Sequence, residues 1–167
     1  MILVTVGMHN QPFDRLIKTA DEMATLVDES IIIQRGSSDF TPTFCTYFDF
    51  TDAAEMKILL SESRVMVSHA GAGSILNALR AGKPAVIVPR LKRFQEVFDD
   101  HQLELAEVIA QQGKIVAVTH LSPETLWQAI ISTKYLNCNT LEDHSLQIAL
   151  SGWLEKHANQ TKLRRSR

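Results

Sequence analysis

The run His69-Ala70-Gly71-Ala72-Gly73-Ser74 gathers residue types that handle anions. It lies between the apolar triplet Val65-Met66-Val67 and a helical pattern that continues to Arg80. At such a junction, two glycines let the backbone pass close to a ligand or take left-handed angles. The free N–H groups of a first helical turn, with the helix dipole, favour negative charge there. Ser74 adds a hydroxyl. This is the physics of a diphosphate cradle. The same residues also fit a plain strand-to-helix turn, and Gly-x-Gly alone does not separate the two. The fingerprint G-x-G-x-x-G is broken at Leu76, and no G-x-x-x-x-G-K-[ST] is present. Both absences count against dinucleotide enzymes and P-loop ATPases.

A second segment, residues 89–100, is long and weakly periodic. Long loops at a ligand edge tend to be functional. This one holds Arg90, Lys92 and Arg93, then Asp99-Asp100-His101-Gln102. The cations could balance phosphates, and the acid and amide groups could meet sugar hydroxyls. A solvated loop with a helix cap at Asp100 fits the spacing equally well. Other chemistries find little support. The six histidines include no pair at helical ligand spacing, and no D-x-D or G-x-S-x-G occurs. Cys45 falls inside a predicted strand. A metalloenzyme or covalent hydrolase is therefore disfavoured.

These segments need elements to hold them. Apolar runs at 2–6, 31–33, 44–48, 65–67, 85–88 and 115–118 read as strands. Helical periodicity covers 13–27, 54–60, 74–80 and 103–109. Ser122-Pro123-Glu124 reads as a further helix start, and a last helix falls between Thr140 and His157. Alternating strands and helices predict an α/β fold, a Rossmann-like parallel sheet with helices on both faces. Ligands of such sheets bind beyond the carboxyl ends of the strands. Glycines, hydroxyls, histidines and arginines follow several of these strands, at that one edge.

The 167 residues are 45% hydrophobic and 22% charged, values of an ordinary globular chain. Residues 1–160 read as one domain and 161–167 as a basic tail. The tail holds four basic residues and leaves 13 basic against 19 acidic residues in the rest. A body that acidic is a poor nucleic-acid binder. The tail could touch an anionic membrane or a partner, and a frayed solvated end fits as well. Two cysteines without a C-x-x-C pair suggest a reducing compartment. No apolar run approaches the length of a membrane span, and no secretory leader is seen.

The run from Val67 to Pro89, followed by Asp100-His-Gln-Leu-Glu-Leu-Ala-Glu107, resembles the glycosyltransferase family 28 C-terminal domain. The opening Val4-Thr-Val-Gly-Met-His-Asn-Gln-Pro-Phe-Asp-Arg-Leu-Ile17 and Tyr47-Phe-Asp-Phe50 bring it close to bacterial polysaccharide enzymes of the PssE type. It is also similar to the catalytic subunit of the dolichol-linked UDP-GlcNAc transferase. The resemblance covers about residues 1–120. It implies the C-terminal, donor-binding half of a GT-B enzyme that takes UDP-sugar as substrate, with no metal and no cofactor. The acceptor half would be a separate, membrane-associated subunit of the PssD type. The chain would then be cytoplasmic and held at the inner membrane face through that partner. A solitary half with an exposed partner face could also form a homodimer.

The resemblance assigns Gly71, Gly73 and Ser74 to the UDP diphosphate, with His69 ordering their loop or touching phosphate. Gly7 and His9 match a first loop facing the diphosphate from across the cleft. Arg90 falls near the nucleotide, and Asp100, His101 and Gln102 match the segment that reads donor-sugar hydroxyls. Two positions depart from the family pattern. Asn77 stands where many relatives carry a ribose-binding Glu, and Met8 where they often carry Thr. Asn bonds a hydroxyl but cannot grip two as a carboxylate does. The implied reaction is inverting sugar transfer to a lipid-linked saccharide. His9 is the local candidate for the general base, since imidazole suits base work near neutral pH. Ordering its own loop is the other role open to it. A non-catalytic UDP-sugar-binding accessory subunit is the alternative reading.

Overall fold

The computed structural model describes residues 1–136 and 151–152. Six parallel strands form one sheet in the order β3-β2-β1-β4-β5-β6. They are β1 (Ile2–Thr5), β2 (Ile31–Gln34), β3 (Thr46–Phe48), β4 (Val65–His69), β5 (Ala85–Val88) and β6 (Val116–Ala117). The helices between them are α1 (Asp14–Met23), α2 (Ala53–Glu62), α3 (Ala72–Arg80), α4 (His101–Ala110) and α5 (Pro123–Ser132). The strand order reverses at β1 and β4, which pair as Ile2 with Val65 through Thr5 with Ser68. An open parallel sheet binds ligands at such a switch point. The loops after β1 and β4 are those that carry Gly7, His9 and the His69–Ser74 run.

The central strands read as unbroken apolar runs because both of their faces are covered. Alternate residues go to opposite sides. Ile2, Val4, Val65, Val67, Val86 and Val88 pack with Leu16, Ile17, Ala20, Leu126 and Ile130 of α1 and α5. Leu3, Met66, Ala85 and Ile87 pack with Ile75 and Ala78 of α3 and Leu105 and Ile109 of α4. Two cores on opposite faces therefore clamp the sheet and fix its strand register. The fold class expected from the sequence is the one observed.

Boundaries differ from expectation where side chains compete for backbone groups. The third strand starts at Thr46 rather than 44, because Asp21 of α1 takes the N–H groups of Thr43, Phe44 and Cys45 at 2.8, 2.8 and 3.0 Å. Cys45 thus lies just before the strand. Burial, reinforced by Asp21, pushes its thiol up to about 12, which leaves it inert as a nucleophile. The first helix ends at Met23, short of Val27, and the sixth strand shrinks to two residues. The third helix starts two residues early, at Ala72. Ser122 caps α5 as expected, accepting from Thr125 N at 3.2 Å, with Pro123 at its first position. Asp100 precedes α4 but does not cap it; its carboxylate accepts from Lys92 N at 3.0 Å. The helix expected within 140–157 and the basic tail fall mainly outside the described residues.

Asp21 fastens the residues just before β3 to the core helix, and it is buried. Replacing it with Ala strands three backbone donors. Asp21→Ala is expected to lower stability by about 2–4 kcal/mol, and Asp21→Asn by less, in urea unfolding. A change under about 0.5 kcal/mol would show that this tie is not needed.

Candidate functional site

Three loops meet at the carboxyl ends of β1, β4 and β5. Gly7 leaves β1 at φ +77°, and its N–H donates to Thr5 Oγ1 at 3.2 Å. His69 closes β4, and its imidazole fills the space between Gly7 and Gly71. A Cβ on either glycine would overlap the ring. These two glycines are therefore required by the histidine, a packing reason that spacing alone does not disclose. Burial, then the charge of Arg90 and of His9, pushes His69 down to about 4. The ring is neutral at physiological pH. It is a spacer that sets the distance between two loops, and it brings no positive charge to an anion.

Gly73 is different. A Cβ there meets nothing within 4 Å. Gly71 stands at the N-cap of α3 and offers no side-chain cap, and the helix's first internal bond runs from Ile75 N to Gly71 O at 3.1 Å. The N–H groups of Ala72, Gly73 and Ser74 consequently have no acceptor within the helix. They lie beside the open space at Gly73. Asn77 is exposed one turn further along the same face. This end of α3 carries the fixed partial positive charge an anion needs.

Arg90 departs from a direct nucleotide contact. It follows β5 and is 0% exposed. Its Nη1 donates to the carbonyls of Gln11 and Pro12, both at 2.9 Å, and its Nη2 to Val6 O at 3.2 Å. The guanidinium stacks on Phe13 at 4.6 Å. Burial lowers its pKa to about 10, so it stays cationic. Arg90 therefore holds the first loop from beneath. Within that loop His9 Nδ1 accepts from Gln11 N at 3.1 Å. In the neutral ring the proton then sits on Nε2, and the nitrogen left for a ligand is a donor.

The segment expected to read sugar hydroxyls ties down the long loop as well. Gln102 Oε1 accepts from Arg90 N at 3.1 Å, which leaves its amide NH2 as the end for a ligand. Asp99 accepts from His101 N at 3.2 Å and faces His101 Nε2 at 3.2 Å. Asp100 Oδ1 accepts from Lys92 N at 3.0 Å, and the rest of the carboxylate is exposed. Two residues not singled out in the sequence complete the clamp. Arg15 of α1 donates to both oxygens of buried Glu96 at 2.9 Å and to Pro89 O at 2.8 Å. Glu96 also accepts from Leu91 N at 2.9 Å. Nothing in local spacing marks this pair, which spans 81 positions.

Cavities of about 340 and 440 Å³ open nearer β6, sharing Arg93, Thr119 and His120. Neither is lined by the 71–74 loop. That loop is an open ledge, as fits a site enclosed from one side only. Among the described residues, no group of three His, Cys, Asp or Glu could hold a metal ion, and no helix is long and apolar enough to cross a membrane.

The two glycines separate by substitution. Gly71→Ala is expected to cost about 1–3 kcal/mol in urea unfolding, because the His69 ring must move, whereas Gly73→Ala changes stability by less than about 1 kcal/mol. Equal losses would refute the packing role. His69 adds a pH dependence. The unfolded ring binds a proton near its ordinary 6.5 and the folded ring only near 4. Stability should therefore fall as pH drops through that window, by up to about 3 kcal/mol. The slope should flatten in His69→Gln.

Residues 1–151 match the glycosyltransferase family 28 C-terminal domain. UDP-N-acetylglucosamine transferase subunit ALG13 of Homo sapiens is 32% identical over 129 residues, 71% of this chain and 11% of that protein. The Yarrowia lipolytica subunit of that name is 45% identical over 73 residues, 42% of this chain and 33% of that protein. The chain thus matches about a third or less of the length of these relatives. A solution structure of ALG13 superposes with a TM-score of 0.60 at 20% identity, over 87% of this chain and 92% of that one. MurG of Acinetobacter baumannii gives 0.57 at 21% identity, over 81% and 42%. These superpositions identify the fold as the C-terminal half of GT-B enzymes. The chain belongs to the glycosyltransferase family 28 C-terminal domain family.

Proposed function

We propose that this chain is the donor-binding subunit of a UDP-sugar-dependent, inverting hexosyltransferase. Its acceptor is a lipid-linked saccharide of surface polysaccharide synthesis. A separate membrane-associated subunit of the PssD type supplies the acceptor half and holds the chain at the inner membrane face. The observation that carries this is the uncapped N-terminus of α3, with open space at Gly73, opposite a first loop held rigid by Arg90. The relatives named for UDP-N-acetylglucosamine transfer support the donor class.

The chemistry follows from the donors on hand. The leaving UDP gains negative charge as the glycosidic bond breaks. The N–H groups of Ala72, Gly73 and Ser74, with the Ser74 hydroxyl, meet that charge without reorganising. His9 presents Nε2–H across the cleft, since Nδ1 is occupied by Gln11 N–H. We assign it to the leaving diphosphate as a donor, in place of the general-base role its residue type suggests. The base then comes from the acceptor half. Asn77 meets the ribose with a single amide, and Gln102 offers its NH2 to the sugar. No metal ion enters this scheme.

Exposed Met8 and Asn77, in place of a hydroxyl donor and a carboxylate, favour a second reading. In it the chain binds UDP-sugar as a non-catalytic accessory subunit. Turnover with the acceptor subunit present separates the two, since both predict donor binding.

Calorimetric titration with UDP, UDP-Glc, UDP-GlcA, UDP-Gal, UDP-GlcNAc and NAD tests the site. UDP or one UDP-sugar should bind in preference to NAD. Ser74→Ala should weaken binding about 2–10-fold, the worth of one hydrogen bond. Gly73→Val should abolish it while the fold survives, because its side chain occupies the anion's place. Silence both alone and with the acceptor subunit would sink the proposal.

A further inference from the structure

Ser68 lies near the carboxyl end of β4, one residue before the ring that fills the space between Gly7 and Gly71, and it is 0% exposed. A hydroxyl buried this completely needs an acceptor for its proton. Thr5, its neighbour across the β1–β4 ladder, is already committed: it accepts from Gly7 N and gives its proton to Gln34 Oε1. Ser68 Oγ has one partner among the described residues, His69 Nδ1 at 3.4 Å.

Two arrangements of protons fit that contact, and one of them satisfies both groups. If Nδ1 carried the ring proton it would donate to Oγ, and the buried O–H would be left with no acceptor. If the O–H donates to Nδ1, the hydroxyl is satisfied and the ring proton goes to Nε2. The ring holds a single proton, because burial and the charges of Arg90 and His9 push it down to about 4.

Nε2 lies where that proton has a use. A Cβ on Gly71 would overlap it, and one on Gly7 would come within 2.9 Å of it. Gly71 is the N-cap of α3, the helix whose first-turn N–H groups form the ledge. Nε2 has no partner among the described residues, yet it is not one of the fully buried polar atoms that lack one. It therefore opens to solvent at the ledge. His9 has the same arrangement, with Nδ1 accepting from Gln11 N and the proton left on Nε2.

We infer that Ser68 is a positioning residue: its hydroxyl fixes the ring proton of His69 on Nε2, which makes the imidazole a hydrogen-bond donor to an anion at the start of α3. The opposite tautomer would turn a lone pair toward that anion and repel it. A ring of either tautomer fills the space between the glycines, so spacing the loops does not require Ser68. The tautomer stands on contacts within this chain. Its use toward a diphosphate rests on the proposed function.

The test is NMR of the full-length protein labelled with nitrogen-15 at histidine, at pH 7. The His69 signals are identified by their loss in His69→Gln. Long-range correlation then tells a protonated ring nitrogen from a bare one. His69 is expected to show a bare Nδ1 and a protonated Nε2, and UDP should shift Nε2 more than Nδ1. Ser68→Ala should draw the two nitrogens toward a common averaged position and weaken UDP binding about 2–10-fold, the worth of one hydrogen bond. Ser68→Thr keeps the hydroxyl and should restore both. The inference is overturned if the wild-type ring carries its proton on Nδ1, if Ser68→Ala leaves the ring pattern unchanged, or if UDP binds without moving Nε2. A Ser68 that only packs would lower the thermal midpoint of Ser68→Ala and leave the proton in place, which overturns it as well. The tautomer is read on the free protein, so it stands or fails whether or not UDP binds. The expected tautomer in a protein that binds no UDP, alone or with the acceptor subunit, would sink the proposed function and the use of Nε2 with it, and leave the Ser68 contact standing.

Discussion

The buried guanidinium of Arg90 is the contact on which the rest of this site depends. Taking a cation out of water is costly unless its hydrogen bonds are replaced. Here three carbonyls of the first loop accept from Nη1 and Nη2, the Phe13 ring covers one face, and Nε alone has no acceptor among the described residues. The loop in turn has no regular structure of its own between β1 and α1. Its backbone acceptors need a donor, and Arg90 is that donor. Each solves the other's satisfaction problem. The consequence is geometric: a residue that leaves β5 dictates the path of the chain leaving β1, although β4 lies between them in the sheet.

His69 performs the neighbouring task without charge. Wedged between Gly7 and Gly71, it links the loops after β1 and β4 much as Arg90 links those after β1 and β5. The two roles demand opposite electrostatics. A protonated His69 would face Arg90, and that cation together with burial keeps the ring neutral. The positive field at the ledge is thus left to oriented N–H groups, which need no counter-ion and carry no titratable charge. Fixed dipoles of this kind are effective at developing charge because they do not reorganise.

Much of this was legible in the sequence. Short apolar runs separated by helical periodicity located all six strands, and the alternation of elements gave the parallel sheet. The edge that carries the ligand groups also followed from strand polarity. What was not legible is the destination of individual side chains. Arg90 follows a strand at the ligand edge, so its residue type points to phosphate; only the folded chain shows carbonyls waiting beneath it. Gly71 and Gly73 look alike in the sequence, yet one faces a ring and the other open space. Asp21 sits on the buried side of α1 for the sake of backbone donors 22 to 24 positions away. Asp100 has the right type and place to cap α4 and serves Lys92 instead. In each case a long-range partner outbid the local pattern.

Rigidity built this way has a consequence for the proposed reaction. The three loops are tied to one another by His69, Arg90, Gln102 and Glu96, all groups of this chain. Binding then carries little ordering cost, which favours affinity for a small ligand. The same locks leave no hinge at the ledge: Gly73 is open, but the Arg90, Gln102 and Glu96 ties bracing the first and long loops would have to break before either could fold over a bound nucleotide. A ledge that cannot close on its ligand cannot exclude water from it. Sugar transfer in preference to hydrolysis requires that exclusion. In the proposed reaction, enclosure therefore comes from a second body advancing as a unit onto the carboxyl edge. The acceptor half is the body that does so, and it arrives carrying the hydroxyl that replaces the excluded water.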